Sequence, residues 1–265
     1  MPIGNYTVAF LDILGFKEAI YHIPLGALSN RYEYIVVEIG ELLNRPFRNV
    51  PKEISFFPKP QPRQEWCKRH IFSDSIILFS LDDTSDNCLK LLLYAWKFTQ
   101  LLLGAGVPTR GGITFGEMYI NKKKQVFLGK ALTEAYVLEQ NQQWIGTAID
   151  DSVFRAFPVL DEAFKGPLLQ DIFFEYDVPM KNCKTQRVRT LNWRWNLVIE
   201  AGTRSLFPLS KDRKIKKKQK NTLKYAKTFI DTGRTYPQDE NRLPPLLRRL
   251  EVGSGKPPLK HGDDL

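Results

Sequence analysis

The chain has 265 residues, 43% of them hydrophobic, which is enough core for one large domain or for a domain plus a tail. No apolar run reaches the roughly 18 residues of a bilayer span. The opening Met1-Pro2-Ile3-Gly4-Asn5 lacks a signal segment, and three cysteines without CxxC spacing read as reduced thiols of a cytoplasmic protein. The net charge of +10 is concentrated at one end: residues 201–265 hold 16 Lys/Arg against 7 Asp/Glu, a balance of +9. Residues 1–200 are therefore close to neutral, which argues against nucleic acid as the partner of the main domain.

Residues 6–13 read as a central strand, apolar on both faces, and Gly15 then turns the chain into a helix over 16–45 that can break near His22 to Gly26. Five prolines within 46–64 mark an irregular excursion. A hairpin follows, with Cys67 to Phe72 leading in, Ser73-Asp74 at the turn and Ser75 to Ser80 leading out. The spacing predicts an apolar helix over 84–104, a strand over 109–120 and a short extended piece at 126–128. It predicts a helix over 129–140, a strand over 144–149 and a helix over 151–157, then strands over 172–178 and 190–197. The order is that of an α+β, ferredoxin-like βαββαβ core with extra αβ elements and a basic C-terminal tail. The expected division is a catalytic domain over 1–200 and a basic extension over 201–265. In the extension, 211–227 has the spacing of an amphipathic helix, and the end reads as disordered or as an extended arm.

Two carboxylates stand where apolar side chains are expected. Asp12 interrupts Val8-Ala9-Phe10-Leu11-Asp12-Ile13-Leu14-Gly15-Phe16, and Asp74 interrupts Ile71-Phe72-Ser73-Asp74-Ser75-Ile76-Ile77. An unpaired carboxylate in such a setting costs several kcal/mol. In a β-α-β-β order the end of the first strand lies beside the hairpin turn, so the two acids face each other. Two divalent cations bound to phosphate oxygens suit such a pair. The plainer alternative is one helix-capping Asp and one turn Asp. Other candidates fare worse. Glu134 and Glu139, five apart on a helix, read as a solvated face. His22 and His261 have no partners at metal spacing, and Trp193-Arg194-Trp195 reads as core packing before it reads as a base-stacking strip.

Phe10-Leu11-Asp12-Ile13-Leu14-Gly15-Phe16, Phe72-Ser73-Asp74, Arg110-Gly111-Gly112-Ile113 with Gly116, and Gly129-Lys130-Ala131-Leu132-Thr133-Glu134-Ala135 occur in that order. Over roughly residues 5–150 this pattern resembles the class III nucleotidyl cyclases. Its compact Asp-Ile-Leu-Gly-Phe form is most similar to the Pycsar pyrimidine cyclases of bacterial antiphage defence. The resemblance implies that Asp12, Asp74 and the Ile13 carbonyl hold two divalent ions, Mn²⁺ or Mg²⁺. It implies that the backbone N–H groups of Leu14, Gly15 and Phe16 touch a triphosphate. It also implies a head-to-tail homodimer with composite active sites, and a separate effector that responds to the cyclic nucleotide.

The expected activity is conversion of UTP to 3′,5′-cyclic UMP and pyrophosphate. The alternatives are a cytidylate cyclase acting on CTP, an inactive cyclase-like dimer that only binds nucleotide, and a nucleic-acid-binding protein driven by the tail. The chain departs from the family on the helix after Gly129, where Thr133 and Val137 stand in place of the usual Asn and Arg. Another cation must serve, and Arg110, Lys130, Arg194 and the tail lysines are the candidates; Thr133 can still offer a hydroxyl. The position that reads the purine in the family is His70 here, and His70 or Arg69 could donate to a uracil carbonyl.

Overall fold

The computed structural model describes residues 3–33, 66–104, 107–121, 123–166, 169, 172–182, 184–193 and 212–228. The strands are β1 (Ile3–Ile13), β2 (Lys68–Phe72), β3 (Ser75–Phe79), β4 (Thr109–Asn121), β5 (Val126–Gly129), β6 (Gly146–Ile149), β7 (Phe173–Pro179) and β8 (Thr185–Leu191). The helices are α1 (Phe16–His22), α2 (Leu25–Glu33), α3 (Ser85–Gly104), α4 (Lys130–Asn141), α5 (Asp151–Ala156), α6 (Pro158–Lys165) and α7 (Arg213–Thr228).

One sheet runs in the order β2-β3-β1-β4-β6-β8-β7, with β5 paired onto β4. Its first four strands, β2-β3-β1-β4, pair antiparallel with one another. That order and sense are the ferredoxin-like arrangement of two interleaved β-α-β units, as the sequence implies. The parallel β4–β6 pair and the β7–β8 hairpin extend it. β1 is central, so its apolar run is covered on both faces.

Alternation along β1 sends Ala9, Leu11 and Ile13 into a large core under α3, with α5 and α6 alongside. Val8 and Phe10 point the other way, toward Ala131 and Ala135 of α4. The α4 helix approaches this closely because Gly112 has no side chain: a Cβ there would collide with the Ala135 carbonyl. A third cluster, built on Trp144, Tyr176, Trp193 and Tyr225, lies under α7.

Several expectations are refined. The first helix breaks at Ile23-Pro24 into α1 and α2, and its expected course over 34–45 lies outside the described residues. The last strand runs over 185–191 rather than 190–197, because hairpin pairing with β7 sets its register. The sequence reading gave no element to 158–165; α6 forms there with Pro158 in its first turn. The tail helix forms over 213–228 and packs into the core, whereas residues 229–265 lie outside the described residues, as do Arg194, Trp195 and Cys183. Among the described residues, no helix is long and apolar enough to cross a membrane.

Candidate active site

The site forms where β1 ends. Asp12 is partly buried, and its cross-strand partners are Ser75 on β3 and Arg110 on β4. Asp74 sits in the β2–β3 turn immediately before Ser75, and its carbonyl accepts the Ile13 N–H at 2.9 Å. The two aspartates that the sequence separates by 62 positions are thus neighbours at one edge. The turn is tight: Ser73 adopts a left-handed φ of 54°, and its carbonyl accepts a hydrogen bond from the Tyr32 hydroxyl of α2. The ring of Tyr32 also packs on Phe16, with centroids 5.6 Å apart, so α1, α2 and the Asp74 turn brace one another. Burial, and then the Asp74 charge, raise the Tyr32 hydroxyl above its usual range.

Burial pushes the Asp12 carboxyl upward, and the Asp74 charge adds to that push; Arg110 and Lys218 pull it back. The donor set is hard and anionic: two carboxylates, with the Ile13 backbone beside them. Mg²⁺ or Mn²⁺ fits such a set when phosphate oxygens and waters complete its shell. Among the described residues there is no group of three or more His, Cys, Asp or Glu, so an all-protein cage is absent there.

After Asp12 the chain turns through Gly15, whose φ of 80° a side chain would strain, and α1 begins. The Leu14 N–H donates to the Pro108 carbonyl at 2.8 Å. It is therefore committed within the fold, which corrects its expected role as a phosphate donor. The Gly15 and Phe16 N–H groups have no acceptor among the described residues.

Three further expectations change. Arg110 is only 4% exposed, and its guanidinium is clamped by Glu139 of α4 and donates to the Gln142 carbonyl at 2.9 Å. Its charge is spent on a buried ion pair, so it does not offer a free cation to a reacting phosphate. Glu139, read as part of a solvated face, is fully buried for the same reason. Arg69 hydrogen-bonds Tyr94 of α3 and aligns with Ala9 and Leu78 on the α3 face of the sheet. His70 aligns with Phe10 and Ile77, on the same face as Asp12, and its ring lies 4.6 Å from that of Phe127. Of that pair, His70 alone faces the site.

Lys130 and Thr133 lie away from Asp12 in the same chain. Gly129 pairs with Met118, which faces Gly4, at the opposite end of β1. That places Lys130 roughly 25 Å from Asp12 along the strand. Lys130 is exposed and pairs with Glu134 at 3.7 Å. Thr133 is exposed, and its hydroxyl donates to the Gly129 carbonyl at 3.1 Å.

Two contributors escape a reading of the sequence. Tyr32 shows only as an apolar helical position. Lys218 is one lysine in a lysine-rich stretch, and nothing but the docking of α7 marks it out.

No family model matches the chain, and no curated protein matches it either. Among solved structures, the adenylyl cyclase CyaB from P. aeruginosa is similar at 13% identity and a TM-score of 0.45, over 71% of this chain and 94% of that one. The guanylyl cyclase Cya2 is similar at 11% identity and a TM-score of 0.43, over 71% and 91%. The catalytic core of a rhodopsin-guanylyl cyclase with converted specificity, solved with ATPαS, is similar at 12% identity and a TM-score of 0.48, over 72% and 98%. At these scores the likenesses carry neither a residue's role nor a substrate to this chain.

Proposed function

We propose that the protein is a metal-dependent nucleotidyl cyclase that converts a pyrimidine nucleoside triphosphate, UTP before CTP, into its 3′,5′-cyclic monophosphate and pyrophosphate. The observation that carries this reading is the convergence of Asp12 and Asp74 beside a strand-to-helix turn. Two neighbouring aspartates, neither in a salt bridge among the described residues, suit a polyphosphate bound with divalent ions. Asp12, Asp74 and the Ile13 carbonyl would hold two such ions. When bound, they neutralise phosphate charge and ease deprotonation of the ribose 3′-hydroxyl.

The chain's own groups orient the reaction. The Gly15 and Phe16 N–H groups face the polyphosphate, and Tyr32 fixes the turn that carries Asp74. The 3′-oxygen forms its bond to the α-phosphorus as the bond to the departing pyrophosphate breaks, and the hydroxyl proton is released. His70, lodged against Phe127, is the base-facing donor that suits the carbonyl oxygens of uracil.

A head-to-tail homodimer would bring Thr133 and Lys130 of a second copy toward Asp12, which the separation of those residues within one chain otherwise forbids. Exposed Tyr136 and Val137 on α4, and Phe72 at the end of β2, supply apolar surface for such a contact. The product would signal to a separate cyclic-nucleotide-responsive effector in antiphage defence, from a catalytic domain over 1–200 carrying a basic extension over 201–265. A second reading, an inactive nucleotide-binding dimer, is favoured by Val137 at the usual cation position and by the neutralised Arg110.

Incubation with Mn²⁺ and each of the four nucleoside triphosphates separates the readings. Release of cyclic UMP or cyclic CMP with pyrophosphate supports the cyclase. Binding without turnover supports the inactive dimer, and full activity in Asp12→Ala or Asp74→Ala overturns the metal assignment.

A further inference from the structure

The described helix of the basic tail, α7, is docked against the sheet rather than standing free. Along α7, Ile215, Lys218, Thr222 and Tyr225 recur at the three- and four-residue spacing of one helix face. That face is docked. Thr222 and Tyr225 are fully buried, and the Tyr225 ring meets Trp144 at a centroid distance of 4.5 Å. The Thr222 hydroxyl accepts the Ile145 N–H at 2.9 Å, and the Asn221 amide donates to the Gln143 carbonyl at 2.7 Å. These bonds pin α7 to the Gln142–Ile145 corner, and Gln142 is the residue whose carbonyl holds Arg110.

One turn before Thr222, Lys218 occupies the docked stripe and is partly buried. Arg213, Lys214, Lys216, Lys217, Lys220 and Lys224 are exposed. A lysine at an interior position of an amphipathic face carries a desolvation cost that a solvent-facing lysine does not. Asp12 feels two cations, Arg110 and Lys218. Glu139 neutralises the first, whereas no acid lies within salt-bridge range of the second among the described residues. Ile145 precedes Gly146, which pairs with Arg110, which in turn pairs with Asp12, so the docked face of α7 lies two strands from Asp12. The Lys218 charge acts on Asp12 and on Glu139, and Arg110 already engages the Glu139 carboxylate.

We infer that Lys218, delivered by the docked face of α7, is a polyphosphate-binding residue of the carboxylate site and supplies within the same chain the positive charge that Val137 cannot. Its part in turnover rests on the cyclase reading; its part in binding polyphosphate does not. The ammonium is a compact point charge suited to phosphate oxygens.

The test uses the full chain and four variants: Lys218→Ala, Lys218→Arg, and the exposed controls Lys216→Ala and Lys220→Ala. The first readout is the affinity for inorganic tripolyphosphate in the presence of Mn²⁺, by calorimetry. The second is kcat and KM for cyclisation. Lys218→Ala is expected to weaken tripolyphosphate binding and kcat/KM about tenfold, the scale of one charge-assisted contact. Lys218→Arg should keep most of both, and the two controls should match wild type. Thermal melts accompany each variant, and Lys218→Met, which preserves the stem, replaces Lys218→Ala if the latter does not fold.

Wild-type tripolyphosphate affinity in Lys218→Ala overturns the assignment. So does an equal loss in Lys216→Ala or Lys220→Ala, which would mean a diffuse basic field, and so does absence of tripolyphosphate binding by wild type. If wild type binds tripolyphosphate but cyclises no nucleotide, the cyclase reading fails and the binding arm still decides the role of Lys218.

Discussion

Two charged pairs sit in one neighbourhood of the sheet and are built on opposite terms. Arg110 and Glu139 are both buried, of opposite sign, in contact, and their remaining bonds go to Gln142 and Gln140. Asp12 and Asp74 are of the same sign and only partly buried, and the Asp74 charge adds to the burial that raises Asp12. The first pair is closed: nothing from solution can improve it. The second is open, and a bound cation is what would relieve it. A fold that tolerates like charges at the end of its central strand, directly across from the arginine of a satisfied ion pair, reserves that edge for a ligand.

The largest effect expected from breaking this contrast falls on the closed pair. Arg110→Ala strands a buried carboxylate and should cost about 3–5 kcal/mol in urea unfolding. The double variant Arg110→Met/Glu139→Leu should recover most of it, because neither charge then remains to be solvated. A double variant as unstable as Arg110→Ala would show that the pair holds the fold by more than mutual neutralisation.

Asp12→Asn should act in the reverse sense. It removes a like charge, so the melting temperature without metal should rise. Cyclisation should fall at least about a hundredfold, or about 2.7 kcal/mol of transition-state stabilisation. Stability and activity falling together would place Asp12 among ordinary structural residues.

A smaller change probes how α4 is held over the sheet. Gly112→Ala puts a methyl group into the Ala135 carbonyl and should cost roughly 1–3 kcal/mol as the helix shifts. Gly116→Ala, where a Cβ meets Ala131 at ordinary contact distances, should cost less.

A further effect, read through pH, lies on α3, where burial pulls the Lys97 ammonium down to about 8 from 10.5. Its folded-state value is the lower one, so the unfolded chain binds more protons between those two pH values. Stability should therefore rise with pH across that window. Lys97→Met should be more stable than wild type at pH 7, with the gap closing as pH rises from about 8 to 10.5. A gap independent of pH would assign the gain to packing alone.

What the sequence discloses and what it hides follow from the range of the interactions. Asp12 and Asp74 are legible because each breaks an apolar strand pattern, a local signal, and the β-α-β-β order then makes them neighbours. Gly15 and the Arg110-Gly111-Gly112 run are legible for the same reason. Glu139 is not, since its partner lies 29 residues away and its own helix shows only charged spacing. Arg110 carries no local sign that its charge is already taken. Arg69 and His70 are adjacent, so strand alternation puts them on opposite faces, and only the register of β2 against β3 decides which of them faces the site. Lys218 is one basic residue among many until Thr222, Asn221 and Tyr225 fix which face of α7 is docked.

Locating Mn²⁺ directly tests the central claim, by anomalous scattering from crystals grown with Mn²⁺ and tripolyphosphate. The account predicts manganese density touching both the Asp12 and the Asp74 carboxylates, with phosphate density on the Gly15–Phe16 side, and loss of that manganese in Asp12→Asn. Manganese bound elsewhere, or the same manganese retained in Asp12→Asn, would contradict it.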